Sequence, residues 1–211
     1  MRKFLLLLCV CGCFAGTPLL ADTFGVNFAN TAGLTLGNPP FTEGWTFTVN
    51  QTITVTDLAV FDSGGAALID SHAVGIWNSV GALLVSTTID AGNVDTLETD
   101  SLGQTWRDKA ASVTLTPGTY TIGAVWATGN DPMIFPGQLG SITTGGAITF
   151  GQGAFIAGST LTDPTNLNGD HASYFGANFE YNAAAVPEPS SLALIGIGAI
   201  GIGLARWRKS K

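Results

Sequence analysis

The segment Asp163-Pro164-Thr165-Asn166-Leu167-Asn168-Gly169-Asp170-His171 gathers carboxylate and amide oxygens on a short polar stretch. These are the hard donors that Ca2+ takes. The spacing is not that of the 12-residue calcium loop between two helices. With Gly169 at its sixth position, Pro164 falls where the first Asp belongs and Phe175 where the bidentate Glu belongs. A looser Ca2+ site on Asp163, Asn168 and Asp170 fits the residue types, and so does a solvated Asn/Asp turn. A second chemistry is ring stacking on sugars, which needs exposed Trp or Tyr. Of Trp45, Trp77, Trp106, Trp126 and Trp207, Trp106 sits in the most polar setting, beside Arg107 and Asp108. It is the best candidate for an exposed sugar platform, against the general tendency of large aromatics to bury. Trp45 and Trp126 fall on alternating strands and read as core.

Hydrolytic chemistry finds less support. Asp62-Ser63-Gly64-Gly65 resembles the nucleophile loop of chymotrypsin-like proteases, but that fold places its His before the Ser, and both His72 and His171 follow Ser63. A tight inter-strand loop explains Ser-Gly-Gly better. Glycosidases need two facing carboxylates with separated pKa values. Residues 22–185 contain only Glu43, Glu98 and Glu180 as glutamates, none in a Glu-x-Glu or Glu-x-Asp run, and most Asp stand beside Gly, Ser or Asn. His72, beside a strand, reads as a hydrogen-bonded structural residue. No G-x-S-x-G, H-E-x-x-H or P-loop pattern occurs. Gly196-Ile197-Gly198-Ala199-Ile200-Gly201 is formally G-x-G-x-x-G, but the dinucleotide reading needs a βαβ unit and an acid about 20 residues on, and neither follows. These residues predict a protein that is not an enzyme.

The charge is unevenly placed. The 211 residues carry a net −7, with only 11% charged, yet mean hydropathy is +0.34. Within 22–185 only Arg107 and Lys109 stand against fourteen carboxylates, a net of −12. Such a surface repels nucleic acid, whose binders carry basic stripes. It suits divalent cations or neutral glycans.

The ends account for the apolar average. Met1-Arg2-Lys3 precedes the uncharged run Phe4–Ala15, which contains the four consecutive leucines Leu5–Leu8, the pattern of a secretory signal peptide over 1–21 with Asp22 as first mature residue. Cys9, Cys11 and Cys13 all lie in it, so the mature chain has no cysteine and its core must carry the fold without disulfides. A lipid on Cys13 is the competing reading of this end, on a poorer motif fit. At the other end, Val186-Pro187-Glu188-Pro189-Ser190-Ser191 leads into uncharged Leu192–Ala205 and then Arg206-Trp207-Arg208-Lys209-Ser210-Lys211. The basic cluster holds such a tail on the cytoplasmic side. The apolar stretch is short for a permanent span, and four glycines weaken it further. This order of parts closely resembles the PEP-CTERM sorting signal of bacteria, with its tripeptide at Pro187, Glu188 and Pro189 and its basic end at Arg206 and Arg208. The resemblance implies an exosortase-like membrane protease or transpeptidase as partner, a transient membrane anchor through 192–205, and export to the cell surface or beyond. It also implies a bacterium that makes exopolysaccharide or biofilm material.

Between the ends, β-branched and aromatic residues alternate in short runs bounded by turn signals, and helix periodicity is absent. Phe47 and Val49 alternate with threonines, and Asn50-Gln51 turns the chain into Ile53 and Val55. After Asp57 the apolar parity shifts to Leu58 and Val60, which predicts a bulge. Asn78–Gly81 predicts a hairpin turn into Leu83–Ile89. Pro117-Gly118 precedes Tyr120, Ile122, Ala124 and Trp126 on one face, and a last strand aligns Phe175, Ala177, Phe179 and Tyr181. The pattern predicts an all-β, antiparallel, jelly-roll-like sandwich over 22–185. Gly44-Trp45-Thr46-Phe47-Thr48, Ile53-Thr54-Val55-Thr56-Asp57-Leu58, Ser71-His72-Ala73-Val74-Gly75-Ile76-Trp77, Leu83-Leu84-Val85-Ser86 and Leu115–Ile122 resemble a β-sandwich domain of unknown function found in PEP-CTERM and other bacterial surface proteins. That likeness brings no catalytic residues with it. The expectation is an exported, structural protein of the envelope or extracellular matrix, without a cofactor unless Ca2+ binds, with extracellular polysaccharide as a candidate partner. A carbohydrate-binding module, calcium-assisted, is the alternative.

Overall fold

Period-two alternation builds two antiparallel sheets that bury facing apolar sides. The computed structural model describes residues 22–28, 34–36, 40–134, 142–168 and 175–183. The expected signal peptide over 1–21 and the tail over 186–211, with its apolar stretch 192–205, lie outside these residues. Among the described residues there is no α-helix, and no helix is long and apolar enough to cross a membrane.

The five-stranded sheet runs β1 (Thr23–Phe24), β15 (Ala177–Ala183), β5 (Ile53–Phe61), β9 (Thr105–Leu115) and β8 (Thr96–Thr99). The six-stranded sheet runs β14 (Asn166–Leu167), β13 (Ile148–Ala157), β4 (Phe41–Val49), β10 (Gly118–Trp126), β6 (His72–Asn78) and β7 (Leu83–Ile89). Two short ladders complete the set, β11 (Pro132–Ile134) with β3 (Leu34–Leu36) and β12 (Ile142–Thr143) with β2 (Asn27–Phe28). The expected antiparallel sandwich is the observed one.

The sheets meet through Trp45 and Phe47 of β4 against Phe179 of β15. The Trp45 and Phe179 rings stack at 5.7 Å, Phe47 and Phe179 lie 4.9 Å apart, and Trp45 Nε1 donates to the Ala177 carbonyl at 2.8 Å. The one polar atom of the central indole is therefore satisfied inside the core, where an orphaned donor is costly. Gly176 lies where any Cβ would collide with the Trp126 ring, so the glycine makes room for the indole.

The bulge expected from the parity shift after Asp57 is present, just before that residue. The register of β5 shifts between Val55 and Asp57 against β9, and the facing shift in β15 lies between Glu180 and Tyr181. Against β15 Thr56 is the extra residue, whereas on the other side Ala111 and Ser112 of β9 stand opposite Thr56 alone. Its insertion keeps Val55, Leu58 and Val60 on the inner face and sends Asp57, Ala59 and Phe61 to the outer one. The outer face is apolar at one end. Trp106 lies opposite Phe61, with their rings 5.6 Å apart, and it also meets Phe24 at 5.8 Å and Phe28 at 6.0 Å. Asn178 fastens the 22–28 segment over this end, accepting from Val26 N at 3.2 Å and donating to Val26 O at 2.9 Å.

Candidate functional site

The same alternation that puts Leu58 and Phe179 in the core puts Asp57 and Glu180 side by side on the outer face, directly opposite in register. Asp108 of β9 stands opposite Ala59, one diagonal step from Asp57 on that face. Asp22, held in place by the β1 pairing of Thr23 with Tyr181 and Phe24 with Glu180, completes the group. One carboxylate oxygen each from Asp22, Asp57 and Glu180 lie within 4.8 Å of one another. An open cleft of about 390 Å³ adjoins them, lined by Asp22, Glu98, Asp100 and Glu180 among others, with no Lys or Arg.

Like charges directly opposite on a sheet repel, and burial sharpens the conflict by weakening solvation of the ionised forms. Burial, then the charges of Asp108, Asp57, Asp22 and Glu98, push the Glu180 carboxyl up to about 7. Burial, then Asp57 and Glu98, likewise push Asp108 up to about 7, against a lowering backbone hydrogen bond. No cation among the described residues relieves them. Arg107 and Lys109, the only Lys or Arg of residues 22–185, occupy the alternate positions of β9 and are engaged elsewhere. Arg107 Nε donates to Asp62 Oδ2 at 2.8 Å, and Lys109 Nζ reaches Asp90 at 2.6 Å and Asp95 at 3.5 Å. Asp100 is also satisfied, accepting from Leu102 N, Gln104 N and Trp106 Nε1.

Of the remaining buried ionisable groups, Asp62, Arg107, His72 and Asp131 are held by ion pairs and hydrogen bonds. Asp62 accepts from Arg107 and from Ala67 N, while Arg107 also donates to Asn93 Oδ1 at 2.6 Å and the Asp95 carbonyl at 3.2 Å. The Asp62-Ser63-Gly64-Gly65 sequence is thus a 3-10 turn with Gly64 and Gly65 at positive φ, tied down by an ion pair. His72 is the hydrogen-bonded structural residue expected, and its partners are now visible. Its Nδ1 lies 2.8 Å from the Val125 carbonyl and its Nε2 2.9 Å from Asp131 Oδ2. Asp131 also accepts from Ile69 N and Asp70 N, both at 2.8 Å. Burial opposes its ionisation, but the hydrogen bonds from His72, Ile69 and Asp70 prevail and hold its carboxyl below the usual range. Glu43, 4% exposed, points its side with Trp45 into the sandwich, and burial alone pushes it up to about 8.

Trp106 requires a correction. It is 0% exposed, enclosed by Phe24, Phe28 and Phe61, and offers no ring face to a sugar. Its polar neighbours mislead because Arg107 and Asp108 are themselves buried on β9. Trp45, Trp77 and Trp126 are buried too, the first and last as expected. Of the proposed calcium residues, Asp163 is half-buried beside the Asn78–Gly81 turn, where burial raises its carboxyl, and Asn168 N donates to the Gly153 carbonyl at 3.0 Å. Asp170 lies outside the described residues, as do Pro187, Glu188, Pro189, Arg206 and Arg208. The acidic group itself is absent from the sequence reading. Its members are scattered from 22 to 180, and the only traces are the parity shift at Asp57 and the place of Glu180 between inward Phe179 and Tyr181.

Residues 185–209 match the family model of the PEP-CTERM protein-sorting motif. This is the motif expected at Pro187–Pro189 and the basic end. It implies an extracellular protein handled by an exosortase-type membrane enzyme, with export and membrane-associated processing before surface or extracellular placement. No curated protein and no solved structure matches the chain.

Proposed function

We propose that this chain is a structural, non-enzymatic protein of the bacterial envelope or extracellular matrix, associated with exopolysaccharide and biofilm. The carrying observation is the sorting motif at 185–209 placed after an acidic β-sandwich. In support, the groups that look most reactive in the sequence have structural partners. Ser63 follows an Asp engaged by Arg107, and His72 is held between Val125 and Asp131. The apolar stretch 192–205 serves as a transient anchor while the tail is processed.

Among the described residues the carbohydrate-binding alternative finds no tryptophan platform, because Trp45, Trp77, Trp106 and Trp126 are all buried. The net −12 of residues 22–185 also repels anionic polymers in the absence of a bridging cation. Deleting the gene and weighing the extracellular material of a static culture tests the matrix role. The expected result is a weaker, lighter matrix that complementation restores. Unchanged matrix, together with selective sugar binding by the chain on a glycan array, would overturn the structural reading in favour of the binding module.

A further inference from the structure

We propose that Asp22, Asp57 and Glu180, with Asp108 beside them, form a calcium site on the outer face of the five-stranded sheet. Oxygens that ligate one Ca2+ at about 2.3–2.6 Å stand no farther apart than about twice that distance. The three carboxylates meet this limit, with donor atoms within 4.8 Å of one another. Mg2+ binds at about 2.0–2.1 Å and demands a tighter octahedron. Zinc prefers Cys and His, and this all-oxygen set contains neither.

A second, independent observation points to the same place. Asp108 is 5% exposed, and its Oδ1 is buried without a hydrogen-bond partner. It shares the face of Asp57 and Glu180, directly opposite Ala59 and one diagonal step from Asp57. Two more buried oxygens without partners, Thr56 Oγ1 and Asn182 Oδ1, occur at the bulge next to Asp57 and two residues beyond Glu180. Buried polar atoms are satisfied in native proteins, and exceptions call for an ion, a water or a function. Here the orphans are all oxygens on strands that carry the carboxylates, and no Lys or Arg among the described residues pairs with those carboxylates. A divalent cation resolves the repulsion, satisfies hard donors and fills its remaining positions with water from the adjoining cleft. The site is distinct from Asp163 and Asn168, and the inference does not depend on how the chain is sorted.

Terbium titration of the full chain in detergent solution tests it. Tb3+ takes the same donors, and Trp106, two residues from Asp108 on the same strand face, serves as the light-absorbing donor. The expected result is a saturable luminescence that Ca2+ displaces. Affinity falls roughly tenfold or more in Asp57→Asn and in Glu180→Gln, while Asp163→Asn leaves it unchanged. Both site variants remove like-charge contacts, so their metal-free unfolding midpoints are expected at or above that of the wild type. Asp108→Asn provides a third arm. No saturable signal, wild-type affinity in all three site variants, or loss confined to Asp163→Asn would overturn the proposal.

Discussion

Replacing Glu43 by Gln isolates a buried carboxyl whose cost depends on pH. Glu43 is 4% exposed, its Oε2 has no hydrogen-bond partner, and its register neighbours are Ala124 and Phe155. Its pKa rises from 4.5 unfolded to about 8 folded. The folded chain therefore binds more protons than the unfolded one across that window, and stability falls as pH rises through it. At pH 7 the unfolded carboxyl has ionised about 2.5 units past its pKa, at about 1.36 kcal/mol per unit, so keeping Glu43 neutral costs about 3 kcal/mol. Glutamine carries no such cost. The variant is expected to match the wild type near pH 4 apart from a constant packing offset. It should gain about 3 kcal/mol by pH 7 and level off above pH 8. For a chain of this size that gain is about 6–12 °C in melting temperature. Denaturant unfolding of both proteins from pH 4 to 9 measures it. The other raised acids titrate in both proteins and cancel in the difference. Parallel stability curves, with a gap independent of pH, would refute the placement of Glu43 as a neutral buried acid.

Arg107→Ala strands Asp62 in the interior and removes donors to Asn93 and the Asp95 carbonyl; a loss of about 3–5 kcal/mol is expected in urea unfolding. Asp131→Ala releases His72 and leaves Ile69 N and Asp70 N without their acceptor, which should cost about 3 kcal/mol at neutral pH. Because the Asp131 pKa is lowered on folding, this difference should be full above the unfolded value of 3.8 and shrink as pH drops below it, as acid-titration unfolding would record. Calcium at a hundred times the wild-type dissociation constant should stabilise the wild type by about 2.7 kcal/mol and Glu180→Gln, if its affinity is tenfold weaker, by about 1.4 kcal/mol or less, read as melting temperature with and without chelator.

The sandwich was legible where one face is apolar and the other Thr-rich. Phe47, Val49, Ile53 and Val55 alternate cleanly, and the parity shift at Leu58 marks the bulge at Thr56. It was illegible in β9, where both faces are covered. Trp106 and Asp108 lie under or beside the 22–28 segment, while Arg107 turns to Asp62, so buried and charged residues follow one another without a readable period. The false exposure of Trp106 has this cause. The acidic group was invisible for a different reason. Nothing local in Asp22, Asp57, Asp108 or Glu180 distinguishes them from the turn and surface acids around them, and only the strand order β1-β15-β5-β9 brings them to one face. The sorting motif, by contrast, is contiguous and is read from linear sequence alone.

The sorting motif at 185–209 implies delivery of the acidic sandwich to the outside of the cell. Fractionating cells that carry the wild type or the Pro187→Ala, Glu188→Ala, Pro189→Ala triple variant, and quantifying the chain in membrane and extracellular fractions, tests it most directly. The wild type should accumulate in the extracellular fraction and the triple variant in the membrane. The same distribution for both would contradict sorting through this motif.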